Sequence, residues 1–364
     1  MTNNKDKKVL NVPNLRFPEF TNEWGNITIK EACSEFQSGK NIKAEMITGQ
    51  GLYPVYGGNG LRGFTESYNH DGDYILIGRQ GALCGNIRKV TGKTYVTEHA
   101  IAVCASKENE TTFLQYLFQK MKLGQYSDQS AQPGLAVNKL LRLNINVPSK
   151  IEQGKIAKIL SLIDERIITQ NKIIEDLKKL KSAIYQELFS NQQGEEYSLS
   201  ELVEIIKGQQ INGNELSENG KYYVMNGGIM PSGYYDDYNT EAGTISISEG
   251  GNSCGYVQYN SSKFWSGGHC YTLHIKPAAP ISTLFLFHFL KWKETDIMTL
   301  RIGSGLPNIQ KKDLSKVSII VPTLDKQQRI MTLLSTFQMK IEHEDMYAIN
   351  LNKQKQYLLS QMFI

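Results

Sequence analysis

The sequence predicts an α+β protein of two tandem, mainly β domains separated by two long helices packed as an antiparallel coiled coil. Three observations predict it. The chain nearly repeats itself at a spacing of about 170 residues. Each repeat opens on a Gly-, Tyr- and Asn-rich stretch carrying short β-type runs. Each then closes on a long heptad pattern.

The repeat is read residue by residue. Ile75-x-Ile77-x₃-Gly81-x₂-Cys84-Gly85 recurs as Ile245-x-Ile247-x₃-Gly251-x₂-Cys254-Gly255, a shift of 170 shared by His99/His269 and by Tyr68-Asn69/Tyr238-Asn239. Gly39, Val55 and Gly58 answer to Gly208, Val224 and Gly227 at 169. Pro148, Gln153, Ile156, Ile167 and Phe189 answer to Pro322, Gln327, Ile330, Ile341 and Phe363 at 174. A few small insertions account for the drift, and two such units suit a bipartite target. The division is 1–148 and 197–322 for the two β-rich domains, 149–196 for a central helical region and 323–364 for a C-terminal one.

Within the β-rich parts, runs such as Tyr74-Ile75-Leu76-Ile77 and Thr244-Ile245-Ser246-Ile247-Ser248 alternate with turns at Gly57-Gly58-Asn59-Gly60 and Asn226-Gly227-Gly228. One helix interrupts each, from Thr111-Thr112 to Lys122 and from Ser282 to Lys293.

After Pro148 the rhythm changes. Ile156, Leu160, Ile163, Ile167, Gln170, Ile174, Leu177, Lys181, Ile184 and Leu188 follow the alternating 4-3 spacing of a coiled-coil seam. The second copy reads Ile330, Leu334, Phe337, Ile341, Glu344, Ala348, Leu351, Lys355, Leu358 and Met362. Both seams place a polar residue at the same two positions, a device that specifies register at some cost in stability. Each helix spans roughly 35 residues, or about 50 Å, too long for a small domain to cover alone.

Composition narrows the class. The chain has 364 residues, 40% hydrophobic and 21% charged, as in ordinary globular proteins. It has no run of eighteen apolar residues, so no membrane partner is expected. Met1 to Asn14 is polar and lysine-rich, unlike a secretory signal. Five cysteines without a CxxC pattern predict free thiols and a cytoplasmic location. Residues 1–150 hold 18 Lys/Arg against 13 Asp/Glu, and residues 197–322 hold 10 against 11. The first unit thus has the basic balance of a nucleic-acid binder. The second is basic at one end only, with Arg301, Lys311, Lys312 and Lys316 facing Asp313.

On these residues the chain resembles the specificity subunit of type I restriction-modification systems over nearly its whole length. The resemblance rests on the doubling, on the opening Val12-Pro13-Asn14-Leu15-Arg16-Phe17-Pro18-Glu19-Phe20, and on Pro148…Glu152-Gln153…Ile156 leading into a long helix. Tyr53-Pro54-Val55-Tyr56-Gly57-Gly58-Asn59-Gly60 with Gly78-Arg79-Gln80-Gly81 adds to it, as does Gly303-Ser304-Gly305-Leu306-Pro307-Asn308-Ile309 before Val321-Pro322. One departure stands out: Asp325-Lys326-Gln327 occupies the place of the family's Glu-Gln.

The resemblance implies two target recognition domains, each reading half of a split sequence in double-stranded DNA. It implies helices that fix the gap and dock two methyltransferase subunits. This chain would bind no cofactor: S-adenosylmethionine belongs to the methyltransferase partner, and ATP and Mg to the restriction (motor-nuclease) subunits. The sequence agrees, for it has no GxxxxGK[ST] loop, no Asn/Asp-Pro-Pro-aromatic tetrapeptide and no acidic cluster ending in lysine. The chain is expected to recognise and not to catalyse.

The repeated Cys84…His99 and Cys254…His269 pairs could suggest a thiol nucleophile or metal ligands. Two candidates per repeat fall short of a zinc site's four ligands, and no third group orients a thiol. The cysteines are therefore read as core and the histidines as DNA candidates. Readout candidates are otherwise polar residues in glycine-rich stretches. In the first domain they are Lys40, Lys43, Asn59, Arg62, Arg79, Gln80, Asn86, His99 and Lys139. In the second they are Gln209, Asn226, Ser232, Tyr234, Glu249, Asn252, Lys263, His269, Arg301, Ser304, Asn308 and Lys311. Arg suits guanine, Asn and Gln suit adenine, and Glu accepts from cytosine N4, so Arg79/Gln80 against Glu249/Gly250 predicts different half-sites. A carbohydrate-binding or hydrolytic β-protein would need a carboxylate pair common to both repeats, which Glu31 and Glu201 do not form. A coiled-coil scaffold would leave the glycine-rich loops unexplained.

Overall fold

The computed structural model describes residues 11–364 apart from 82, 129–133 and 304. Two compact units emerge, one of 1–171 with 346–364 and one of 172–345, so each long helix contributes to both.

In the first unit, β1 (Gly25–Thr28) pairs antiparallel with β9 (Asn144–Val147). A four-stranded antiparallel sheet runs β2 (Cys33–Ser38), β8 (Ala100–Ala105), β5 (Asp73–Gly78), β6 (Ile87–Thr91). A small sheet joins β4 (Gly60–Thr65), β3 (Tyr53–Gly57) and β7 (Tyr95–Val96). The short α1 (Ile29–Ala32) precedes β2; α2 (Thr111–Met121) buries Phe113, Leu114, Leu117 and Phe118; and α3 (Val137–Leu141) precedes β9. The long helix α4 spans Lys150–Ser190.

The second unit repeats this plan. β10 (Glu195–Ser198) pairs with β18 (Ser318–Val321). The larger sheet runs β11 (Val203–Lys207), β17 (Cys270–Ile275), β14 (Thr244–Ser248), β15 (Val257–Asn260). The smaller one runs β13 (Tyr234–Tyr235), β12 (Tyr222–Met225), β16 (Trp265–Ser266). Its helices are α5 (Leu199–Leu202), α6 (Thr283–Trp292), α7 (Glu294–Thr299), α8 (Lys311–Leu314) and the long α9 (Leu324–Gln361). The repeated acids Glu31 and Glu201 close capping boxes with Thr28 and Ser198 at α1 and α5. The two helices predicted from sequence are α2 and α6; Lys122 is the left-handed C-cap of α2 and Ser282 the N-cap of α6.

None of the seam positions from Ile156 to Leu188 and from Ile330 to Met362 is exposed, while Leu162, Ile168 and Ile173 beside them are. In the first unit Ile156 and Leu160 share a core with Leu359, Met362 and Phe363. In the second, Phe189 shares one with Ile330 and Leu334. The pairing is antiparallel, since Lys181 donates to Gln338 (2.6 Å) while Lys178 meets Asp345 (3.8 Å). The seam lysine Lys355 meets Asp164 at 2.6 Å in the first unit. Asp164 and Gln338 are themselves repeat equivalents, at the same shift of 174 as Lys181 and Lys355.

The long helices start the same way in both units. Gln153 and Gln327, each 1% exposed, donate to the Pro148 and Pro322 carbonyls and accept from the backbone N–H of Glu110 and Ser282. A buried amide that satisfies its partners on both sides costs little and fixes the approach of two helices.

Candidate nucleic-acid interface

Several turns converge at one edge of each larger sheet. In the first unit the Arg79 amide donates to the His99 carbonyl (2.9 Å), and the Arg79 carbonyl accepts from Leu135 (2.9 Å). In the second, the Glu249 amide donates to His269 (2.9 Å) and its carbonyl accepts from Ile309 (2.8 Å). Arg79 and Glu249 are therefore the same backbone position. Gly85 and Gly255 hold left-handed φ of 83° and 93°, and a Cβ on Gly85 would meet Gly124 N at 2.1 Å. Only glycine lets that turn form.

The repeated cysteines belong to this turn. Cys84 Sγ donates to the Arg79 carbonyl (3.3 Å) and Cys254 Sγ to the Glu249 carbonyl (2.9 Å). Burial pushes both thiols above their usual range, which suits core groups and not thiolates. Among the described residues no three His, Cys, Asp or Glu side chains are grouped to hold a metal.

In the first unit Lys40 enters this edge through its amide, which donates to Val96 (3.0 Å). A Cβ on Gly57 would meet Arg62 Cδ at 2.9 Å, so Arg62 lies over that glycine. Asn86 lines a small cavity with Gly57, Gly58, Gly60 and Arg88. Exposed His99 sits 3.1 Å from Gln80 and 3.2 Å from Glu98. Asn59 is exposed in the turn at 58–60. Among the described residues Arg62, Arg79 and Arg88 have no carboxylate partner. Lys43, beside Glu45 at 3.6 Å, and Lys139, paired with Asp128 at 3.5 Å, lie on other segments. Arg88 escaped the sequence reading because it is on β6 and not in a turn.

In the second unit Asn226, Ser232, Glu249, Asn252, His269 and Asn308 line one cleft of about 550 Å³. Lys207, at the end of β11, lines it too and was not anticipated. Gln209 adjoins the edge through its amide, which donates to Ser266, and its carbonyl accepts from Trp265 Nε1 at 3.0 Å. Tyr234 lies on β13, Lys263 donates to the Tyr238 hydroxyl (2.7 Å) and pairs with Glu241 (3.2 Å), and Arg301 and Lys311 lie on segments outside the cleft lining. Ser304 lies outside the described residues.

Among the described candidates Glu249 alone is nearly buried, 8% exposed. Its Oε1 accepts from Lys207 (2.6 Å) and from Tyr271 (3.0 Å). The two edges thus share a backbone and differ in charge: arginines without carboxylate partners in one, a carboxylate held by lysine and tyrosine in the other.

The sequence profile of the type I restriction modification DNA specificity domain matches residues 21–179 and again 191–351. The EcoprrI type I restriction enzyme specificity subunit of Escherichia coli is 40% identical over 173 residues. That alignment covers 46% of this chain and 42% of the relative, so the match spans less than half the length of that protein. A Mycoplasma pneumoniae protein named as a type I specificity subunit is 26% identical over 84% of this chain and 87% of its own. The crystal structure of the S subunit of a type I restriction-modification system from M. genitalium shares the fold, with a TM-score of 0.68 and 22% identity over 97% of this chain and 99% of that one. Among the described residues no helix is long and apolar enough to cross a membrane.

Proposed function

Since the chain belongs to the type I restriction modification DNA specificity family, we propose that it is the non-catalytic specificity subunit of such a complex. Each domain reads one half of a split double-stranded site through its converging turns. The helical regions 149–196 and 323–364 set the gap and dock two methyltransferase subunits. The methyltransferase partners carry S-adenosylmethionine and modify adenine; restriction subunits, with ATP and Mg, add cleavage.

The observation that carries this reading is the shared backbone edge with exchanged chemistry, Arg79 against Glu249. A duplicated scaffold that keeps its turns and changes the charge they present is suited to two different half-sites. In the first domain, Lys40, Asn59, Arg62, Arg79, Gln80, Asn86 and His99 serve as DNA contacts, with Lys43 and Lys139 at the flanks. In the second, Asn226, Ser232, Glu249, Asn252, His269 and Asn308 face the site, with Gln209, Tyr234, Lys263, Arg301 and Lys311 further out; Ser304 is carried over as a contact from the sequence alone. Arginine and lysine contacts to phosphate position the domain, and base-edge contacts specify.

Single-molecule sequencing of adenine methylation, in cells carrying this gene and a methyltransferase partner, tests the reading. A new split motif with one methylated adenine per half is expected. No new motif, with the partner shown to be active, would refute it.

A further inference from the structure

Glu249 is built into the second domain together with its holders. The facing strand positions Ser38 and Ile101 of β2 and β8 in the first domain are occupied in the second by Lys207 and Tyr271 of β11 and β17. Both of these hold Glu249 Oε1. Its Oε2 is shielded, yet among the described residues it accepts no hydrogen bond. The His269 Nδ1 atom, 3.7 Å from Oε2, is beyond hydrogen-bonding reach and sits on a largely exposed side chain. A buried carboxylate oxygen without a donor is costly and calls for one, and the cleft that Glu249 lines opens beside it.

We propose that Glu249 is the specificity-determining residue of the second domain, its Oε2 accepting a hydrogen bond from cytosine N4 in the major groove. Arg79, at the equivalent backbone position, donates to guanine O6 and N7. The inference rests on the DNA-recognition reading and adds to it the polarity of each half-site. Cytosine is favoured over adenine because adenine sets its N7 acceptor beside the amino group, and a carboxylate offers N7 no donor. Lys207 and Tyr271 hold the carboxylate in place before DNA arrives. The exposed His269 imidazole, weakly held, gives way to the entering base edge.

The test is the methylation motif written by the full chain with its methyltransferase partner. Glu249→Gln keeps an acceptor for Lys207 and Tyr271 while placing an amide toward the base. The expected result is relaxed preference at one base position of one half-site, about ten- to hundredfold in discrimination, with the other half-site unchanged. An unchanged motif at full methylation overturns the proposal. If Glu249→Gln abolishes methylation, Tyr271→Phe decides: partial relaxation at a single base position supports the role, and uniform loss across all positions overturns it. A wild-type chain that directs no split motif would instead refute the DNA-recognition reading itself.

Discussion

Arg16 clasps Glu152 through two hydrogen bonds, Nε to Oε1 at 2.7 Å and Nη2 to Oε2 at 2.8 Å, with Glu152 only 1% exposed. Trp24 Nε1 adds a third donor at 3.3 Å. The buried carboxylate raises the Arg16 pKa further, chiefly through its hydrogen bond. The clasp ties the opening segment to the first turn of α4, and the Leu15 amide donates to the Gln361 carbonyl near the end of α9. The counterpart of Glu152 in the second copy, Lys326, is exposed.

Arg16→Met should destabilise the first unit by about 3–5 kcal/mol, because it strands a buried carboxylate. Adding Glu152→Leu should restore a large part of that loss. Thermal unfolding of the full chain checks both, and an unshifted midpoint for the single variant would show the clasp to be energetically idle.

Arg79→Ala should damage one half-site and leave the other. Methylation sequencing should show discrimination falling about five- to 150-fold at one guanine, the worth of a bidentate pair. Loss of preference in both halves would remove Arg79 from direct readout.

Much of the architecture was legible because periodicity is local. The 4-3 spacing from Ile156 to Leu188 picks out residues that are covered, while Leu162 and Ile168 fall off it and are exposed. The site was legible only in part. Asn226, Asn252, His269 and Asn308 share glycine-rich turns that do converge, whereas Tyr234 lies on strand β13 of the smaller sheet and Lys263 just before its strand β16. Lys207 and Arg88 were missed because they sit on strands, where only the long-range register of β11 with β17 and of β6 with β5 decides which side chains reach the edge.

His288 gives the second unit a pH dependence. Burial, aided by the positive charge of Lys181, lowers its pKa to about 4, and its Nδ1 is hydrogen-bonded with the Tyr185 hydroxyl. The unfolded chain binds the proton near 6.5, so between about 4 and 6.5 unfolding takes up a proton and stability rises with pH. The contribution is whole above about 6.5 and lost as pH falls toward 4. Its size is on the order of 2–3 kcal/mol, from 1.36 kcal/mol per pKa unit discounted for partial exposure. His288→Gln should flatten unfolding midpoints across that window, and an unchanged slope would assign the dependence elsewhere.

The helices offer the sharpest test of a ruler. The two units divide at 171/172 in α4 and at 345/346 in α9, which are repeat equivalents at the shift of 174. One heptad inserted at both places keeps the seam in phase, because seven residues restore the a/d pattern. It lengthens each helix by about 10.5 Å at 1.5 Å per residue. At about 3.4 Å per base pair that is roughly three base pairs. A heptad in α4 alone would keep the Lys181–Gln338 and Lys355–Asp164 pairs from both staying in register, so it should cost stability and not simply lengthen the spacer. With matched insertions the methylation motif should keep both halves and widen its gap by about three. A gap that does not change would mean that something other than helix length sets the spacing.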